Sequence, residues 1–178
     1  MRPTTLQHSM AATGQSPWVP GNRLQQNPNV SVFVALEQGA SGTFSVEHTF
    51  DDLVPSLPCL VSQSTTTITV TFAAEHGLRV GDGVILTGVA ANVDGQWTVA
   101  AITDTNILTI TSGVSQTVAS TPAMAAALRV YTVPSGTLTS KSASAYGTYN
   151  FPVSAFRLNC TVAGAGKARF GVLIGMGY

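Results

Sequence analysis

Apolar and polar residues alternate in short runs from residue 30 to the end of the chain. In 30–36 every second residue is Val or Leu, and in 43–50 every second residue is Phe, Val or His. A period of two is typical of β-strands. Gly39-Ala40-Ser41-Gly42 separates the two runs, so the pattern predicts a β-hairpin there.

Further strand-like runs follow at intervals of about ten residues, with turn residues between them. They cover 66–72, 84–86, 97–99, 107–111, 153–160 and 170–174. The last two flank Gly164-Ala165-Gly166 and predict a C-terminal hairpin, with Lys167 and Arg169 on its opposite face. Ala123 to Leu128 is the only run that favours a helix, but it is short and uncapped, and we interpret it as strand or connection. The chain is therefore predicted to be all-β, as a sandwich or small barrel.

The first 29 residues lack this alternation. They contain Pro3, Pro17, Pro20 and Pro28 and no apolar period. Proline at this density argues against a helix or a central strand. The pattern predicts an extended N-terminal arm over 1–29, with a partner surface as the place where it is held.

Composition restricts the classes of function. Only 9% of the 178 residues are charged, with eight basic against eight acidic, whereas a soluble domain has about 25% charged residues. No net field exists to attract nucleic acid or an anionic membrane. No apolar run approaches the roughly 20 residues that cross a bilayer, and 1–21 lacks the features of a secretory signal. A surface so poor in charge is weakly protected against association, so we expect partner subunits to cover much of it.

The residues that could support chemistry do not form a convincing site. Glu47 and His48 are neighbours in a strand and point to opposite faces, so they cannot bind one ion. Asp51 and Asp52 supply too few oxygens for a hard cation by themselves. His76, with Asp82 nearby, has no evident nucleophile beside it. We therefore predict no catalytic, cofactor-binding or metal-binding residues and no enzymatic activity.

Three other features have structural interpretations. Gly164 to Ala168 resembles part of a phosphate-binding loop, but it lacks the upstream Gly and the Ser or Thr after Lys167, which favours a hairpin turn. Cys59 and Cys160 could pair, although two free buried thiols are the favoured interpretation. Most aromatic residues are expected in the core, and a carbohydrate platform would have to use Trp18, Tyr146 or Tyr149.

Two separated segments resemble small tailed-bacteriophage virion structural proteins. The first is Thr43 to Asp52, and the second begins at Leu138 to Ala143 and continues through Tyr149 to Asn159. The region between them, with His76-Gly77-Leu78, Gly95 to Val99 and Leu108-Thr109-Ile110, is similar to small β modules of phage structural proteins. The shorter relatives pass directly from the first segment to the second.

The resemblance implies a β-sandwich or jelly-roll-like domain formed by 30–61 plus 125–178. A small β-barrel or sandwich module, 62–124, is then inserted in one of its loops. Because an inserted module enters and leaves at close points, we expect Leu60 and Arg129 to be near neighbours.

The resemblance also implies a role in the virion, most simply as a capsid decoration or cement protein on the outside of the head. The expected partners are the major capsid protein and further copies of the chain, with a trimer favoured. A tail, collar or head-fibre component and a host-surface glycan-binding module are the alternatives. Which of these holds, whether the inserted module binds a ligand, and the order of the oligomer are left open by the sequence. No cofactor, nucleic acid or membrane partner is expected, and the protein would be made in the bacterial cytoplasm.

Overall fold

A computed structural model of the chain describes residues 4–21, 29–37, 39–90, 92–132, 138–149 and 151–175. These ranges contain thirteen β-strands and no helix, so the predicted all-β fold is confirmed. The strands are β1 (Thr4–Met10), β2 (Gly14–Gln15), β3 (Val19–Pro20), β4 (Asn29–Leu36), β5 (Gly42–Thr49), β6 (Leu57–Phe72), β7 (Gly83–Thr87), β8 (Gly95–Asp104), β9 (Ile107–Leu128), β10 (Tyr131–Thr132), β11 (Ala145–Tyr149), β12 (Ala155–Ala163) and β13 (Ala168–Gly175).

The chain divides into two compact units. The split unit consists of Met1–Phe50 together with Tyr131–Tyr178, and the central unit consists of Asp51–Val130. Each unit has its own cluster of buried apolar residues. The two segments of the split unit are thus separated in sequence by an entire second unit.

The split unit is a sandwich of two antiparallel sheets. One sheet has the order β1-β13-β4-β11, and the other has the order β10-β5-β12-β2, with β3 also paired to β12. Alternate residues of β4 and β13 face alternate residues of β5 and β12 across the core, because each strand buries the side of its pleat that points inward. The largest fully buried side chains of this core include Tyr149, Phe156, Phe170, Leu138 and Leu158.

Both predicted hairpins of the split unit are wrong. β4 and β5 lie in different sheets, and so do β12 and β13. Each connection crosses from one layer of the sandwich to the other instead of turning back within one sheet. Alternation in the sequence indicates that one side of a strand is buried. A hairpin within one sheet and a crossing between two sheets bury that side equally well. The pairing partner therefore depended on long-range contacts that the local pattern does not contain.

The two crossing connections, 39–42 and 164–167, pack against each other. Ser41 N donates to Ala165 O, and Gly164 N donates to Ser41 O. The Ser41 hydroxyl also accepts from Ala165 N at 3.2 Å. A Cβ on Gly164 would lie 2.1 Å from Ser41 Oγ, so this close approach requires glycine.

Part of the expected N-terminal arm belongs to the sandwich. β1 pairs with β13 over its whole length, and β2 and β3 pair with β12. Val19 is buried in the core, and the hydroxyl of Ser16 accepts from Leu158 N at 2.9 Å. Pro17 lies between β2 and β3, and Pro20 is tolerated in β3 because this strand lies at a sheet edge. Over 4–20, removal of the segment would therefore expose an edge and a part of the core.

The central unit is one antiparallel sheet of order β6-β9-β7-β8, in which β8 also pairs with β9. Besides β6, β9 pairs with both β7 and β8, because its first part lies beside β8 and its last part lies beside β7. The run Ala123 to Leu128, interpreted from sequence as strand or connection, is the end of β9. The core contains Ile68, Val70, Leu86 and Leu108, all fully buried.

The central unit is longer at both ends than the predicted insertion, 62–124. β6 begins at Leu57 and β9 continues to Leu128. The expected proximity of Leu60 and Arg129 is wrong, because Leu60 pairs with Pro122. Asp51 is the residue that meets Arg129, with a 2.6 Å bond between Arg129 Nη2 and Asp51 Oδ1. The jelly-roll connectivity and the status of 62–124 as an inserted module stay predictions.

The two cysteines are free and buried, one in each unit. Burial raises the pKa of the Cys59 thiol and also that of Cys160, whose Sγ–H contacts Val162 O. Because the thiolate is the reactive form, both should resist alkylation in the native protein. We expect iodoacetamide at pH 8 to leave both unmodified until urea opens the corresponding unit, as measured by peptide mass spectrometry. Rapid labelling of either thiol in buffer would contradict its burial.

Candidate interaction surface and buried polar groups

Glu47, the first residue of the acidic cluster, is held in a buried ion pair. Arg157 on β12 lies directly opposite Glu47 on β5. Arg157 Nε donates to Glu47 Oε2 at 2.6 Å, and Asn159 Nδ2 donates to Oε1 at 2.7 Å. The guanidinium carbon also lies 4.4 Å from the ring centre of Trp18. Both carboxylate oxygens are therefore engaged, so the group is arranged to fix β5 against β12 and the N-terminal segment.

His48 points to the other face of β5, as strand geometry predicts, and is surrounded by aromatic rings. Its ring stacks on Tyr131 with centroids 5.8 Å apart, and makes edge contacts with Phe50 at 5.3 Å and Tyr149 at 5.4 Å. Phe151 completes the cluster at 6.1 Å. Burial lowers the pKa of His48 from its ordinary 6.5, because a charged imidazole loses hydration there. We call these five residues the aromatic clasp.

Asp51 and Asp52 have separate structural roles. Asp51 accepts from the backbone N–H and the guanidinium of Arg129, which joins the first and last parts of the central unit. Asp52 Oδ1 accepts from Val54 N at 3.1 Å and closes a local turn. Their oxygens face different donors, so the two side chains are not brought together around a cation.

His76 and Asp82 also serve turns. His76 Nδ1 accepts from Leu78 N at 3.0 Å, and Asp82 Oδ2 accepts from Arg79 N at 2.8 Å. The imidazole lies 5.3 Å from Phe72. Its Nε2 is buried and has no hydrogen-bond partner among the described residues.

No group of three or more His, Cys, Asp or Glu side chains with metal-binding geometry occurs in the part of the chain that the structure describes. The glycine turn before Lys167 joins β12 to β13, so it has no helix after it to receive a phosphate. Over the same described ranges there is no helix of the length and apolar character needed to cross a bilayer.

The aromatic residues divide between core and surface. Phe44, Phe156 and Phe170 are buried as expected, and Tyr149, considered for a carbohydrate platform, is buried too. Tyr146 on the edge strand β11 is exposed over 82% of its surface. Three members of the clasp, Phe50, Tyr131 and Phe151, were not distinguished from core residues by the sequence, but they are partly exposed.

An exposed apolar surface on the central unit was missed by sequence reasoning. Pro58 pairs with Met124, and Leu60 pairs with Pro122, in adjacent positions of β6 and β9. The intervening Cys59 is buried, which places the four residues on the outer face. We call them the proline patch (Pro58, Leu60, Pro122, Met124). Leu60 is 47% exposed and Met124 is 38% exposed.

The prolines in this part of the sequence made the prediction of a strand ambiguous. In the sequence, Pro55 and Pro58 predict an irregular segment after Asp52, since proline is disfavoured in central strands. The structure has a strand from Leu57. Residues 58–61 then alternate outward and inward, with apolar residues on both faces.

No protein-family model matches this sequence, and a search of curated proteins gives no match either.

Proposed function

We propose that this protein is a non-enzymatic structural component of a bacteriophage virion, most simply a capsid decoration or cement protein. Its partners are the major capsid protein and further copies of itself, with a trimer as the favoured oligomer and the head exterior as its place. The observation that carries the proposal is the exposed proline patch in a chain with only 9% charged residues. The resemblance of 43–52 and 138–159 to virion proteins supports the same assignment.

The physical basis is association without chemistry. The proline patch supplies apolar side chains on the paired strands β6 and β9, and removing apolar surface from water is favourable by about 25 cal/mol per Å² before the costs of association. Charged residues would oppose that burial, and they are depleted at the centres of interfaces. A cement protein repeats such a contact at every equivalent position of the shell. Many weak contacts then add to a stable particle.

A pair of matched variants tests this proposal. Leu60→Glu places a charge in the proline patch, whereas Val80→Glu places the same charge at a turn of the same unit, where Val80 is 63% exposed. If the patch is an interface, the first variant buries an unpaired carboxylate on assembly. Occupancy should then fall about tenfold or more, because 1.4 kcal/mol corresponds to a factor of ten. The Val80→Glu protein should assemble like the wild type.

The measurement is the number of copies per purified particle, by quantitative mass spectrometry of virions from the phage that encodes the chain. Absence of the wild-type protein from these particles would refute the virion assignment. Equal occupancy of the two variants would exclude the proline patch as the contact. Imaging of the same particles separates shell from tail, collar or head fibre, and a tail location would replace the cement role.

A further inference from the structure

The aromatic clasp lies where the split unit is interrupted by the central unit. Phe50 is the last residue of the split unit before the central unit, and Tyr131 is the first after it. Their ring centres are 5.6 Å apart. His48 pairs directly with Tyr131 in the β5–β10 register and packs against both rings. One imidazole therefore contacts both points at which the chain passes between the units.

β10 depends on these ring contacts. In the part of the chain that the structure describes, β10 is Tyr131–Thr132 and lies at the edge of its sheet, beside β5 in the strand order. An edge segment is paired along one side, and such segments are among those that open locally at low cost. Loss of the packing between His48 and Tyr131 would thus release β10 without unfolding the sandwich.

The surroundings of His48 favour its neutral form. The imidazole is 3% exposed. In the described part of the split unit, the titratable groups that face it are Tyr149, whose Oη lies 3.5 Å from Nδ1, and Tyr131. Burial raises the pKa of Tyr149, so this hydroxyl supplies no negative charge near neutral pH. Glu47 and Arg157 pair on the opposite face of the sheet.

Two effects oppose each other when the ring is protonated. Aromatic faces attract a cation, which would stabilise imidazolium in the clasp. Burial removes the hydration of that cation, which destabilises it. The imidazole is 3% exposed and the described groups packed on it are aromatic rings with no carboxylate among them, so loss of hydration opposes the charged ring, and burial lowers the pKa of His48. The closed clasp therefore prefers a neutral ring, whereas an open, hydrated His48 would take up a proton at its ordinary pKa.

We propose that the aromatic clasp is a pH-sensitive latch, closed when His48 is neutral and opened by its protonation, so that β10 and Tyr131 detach from β5. The sign follows from linkage. A base whose pKa is lower in the closed form contributes closing free energy above its ordinary pKa, and this contribution is lost as the pH falls through and below about 6.5. This inference does not depend on the proposed virion role.

The experiment is an NMR titration of the full chain from about pH 7.5 to about pH 5, a range that spans the ordinary imidazole pKa. His8, His48 and His76 are the three histidines, and single substitutions assign their ring signals. In the latch, cross-peaks between the His48 and Tyr131 rings disappear as His48 protonates. Amide exchange in β10, corrected for its intrinsic pH dependence, should rise about tenfold per pH unit below the ordinary pKa until His48 protonates in the closed form.

Matched variants separate the latch from general acid unfolding. His48→Phe keeps a ring without a titrating group and should hold β10 closed across the whole range. His8→Gln removes a histidine outside the clasp and should behave like the wild type. Amides of β12, which lies inside the sheet, should stay protected throughout, because the sandwich core remains folded. The proposal is overturned if β10 stays protected after His48 protonates, if His48→Phe opens at the same pH, or if the β12 amides lose protection together with β10. A His48→Phe chain that does not fold leaves the wild-type titration and the β12 amides to decide.

Discussion

Arg157→Met should lower the free energy of unfolding of the split unit by about 3–5 kcal/mol, the usual result of removing one partner from a buried ion pair. The variant leaves the Glu47 carboxylate buried, with the side-chain amide of Asn159 still donating to it at 2.7 Å. Methionine fills much of the space of the arginine stem, so the loss arises mainly from the unpaired charge. The contact of the guanidinium with the Trp18 ring is removed as well.

A matched control exists in the same unit. Arg169 pairs with Glu37 at 3.3 Å, and both side chains are exposed. Arg169→Met should therefore cost less than about 1 kcal/mol, because water already hydrates both charges. A Glu47→Leu, Arg157→Met double variant should recover most of the loss, since replacing both members of a buried pair by apolar residues is often neutral.

Alkylation of Cys160 in urea measures this effect in the split unit, and Cys59 reports the central unit in the same sample. Arg157→Met should move the Cys160 transition to lower urea and leave the Cys59 transition in place. Equal shifts for Arg157→Met and Arg169→Met would show that the Glu47 pair is as well hydrated as the exposed one. A shift of both cysteines would show that the two units unfold together.

The sequence predicted the positions of the strands better than it predicted which strands pair with each other. Alternation predicted the positions of β4, β5, β12 and β13 to within a few residues, because the burial of one strand face appears in the local sequence. The predicted pairing of these strands in hairpins was wrong, because strands that cross between the sheets of a sandwich bury the same residues as strands in a hairpin. The long strands β6 and β9 were underestimated for a different reason. Pro58 predicts an irregular segment, yet it lies on the outer face of a paired ribbon.

The orientation of Glu47 and His48 was predicted correctly, because strand geometry decides it. The period of two places Glu47 and His48 on opposite faces, and the structure gives them different partners. The partners themselves were not predictable. Arg157 lies 110 residues from Glu47, and Tyr131 lies 83 residues from His48 in the numbering. Such contacts depend on the sheet order, which the sequence pattern left undetermined.

Gln63 should be the most sensitive polar residue of the central unit. It is 2% exposed, and its Nε2 donates to Thr65 O at 2.8 Å and Val114 O at 2.7 Å. Its Oε1 accepts from Gln116 Nε2 at 2.9 Å. These bonds hold a bulge in β9, where 112–115 stand opposite Thr66 alone. Thr65 has a positive φ of 53° beside this bulge, a conformation that a non-glycine residue adopts only when neighbours impose it.

Gln63→Leu should therefore destabilise the central unit by about 3 kcal/mol, since several buried or partly buried groups lose their partners at about 1–3 kcal/mol each. Asn92→Ala is the matched control, because Asn92 bonds the same Gln116 at 3.3 Å from an exposed position, and surface changes usually stay within about 0.5 kcal/mol. Urea-dependent alkylation of Cys59 measures both, with Cys160 unchanged. If Gln63→Leu shifts the Cys59 transition no more than Asn92→Ala does, the bulge is held by the backbone ladder of β6 and β9, and Thr65 keeps its positive φ without help from the amide.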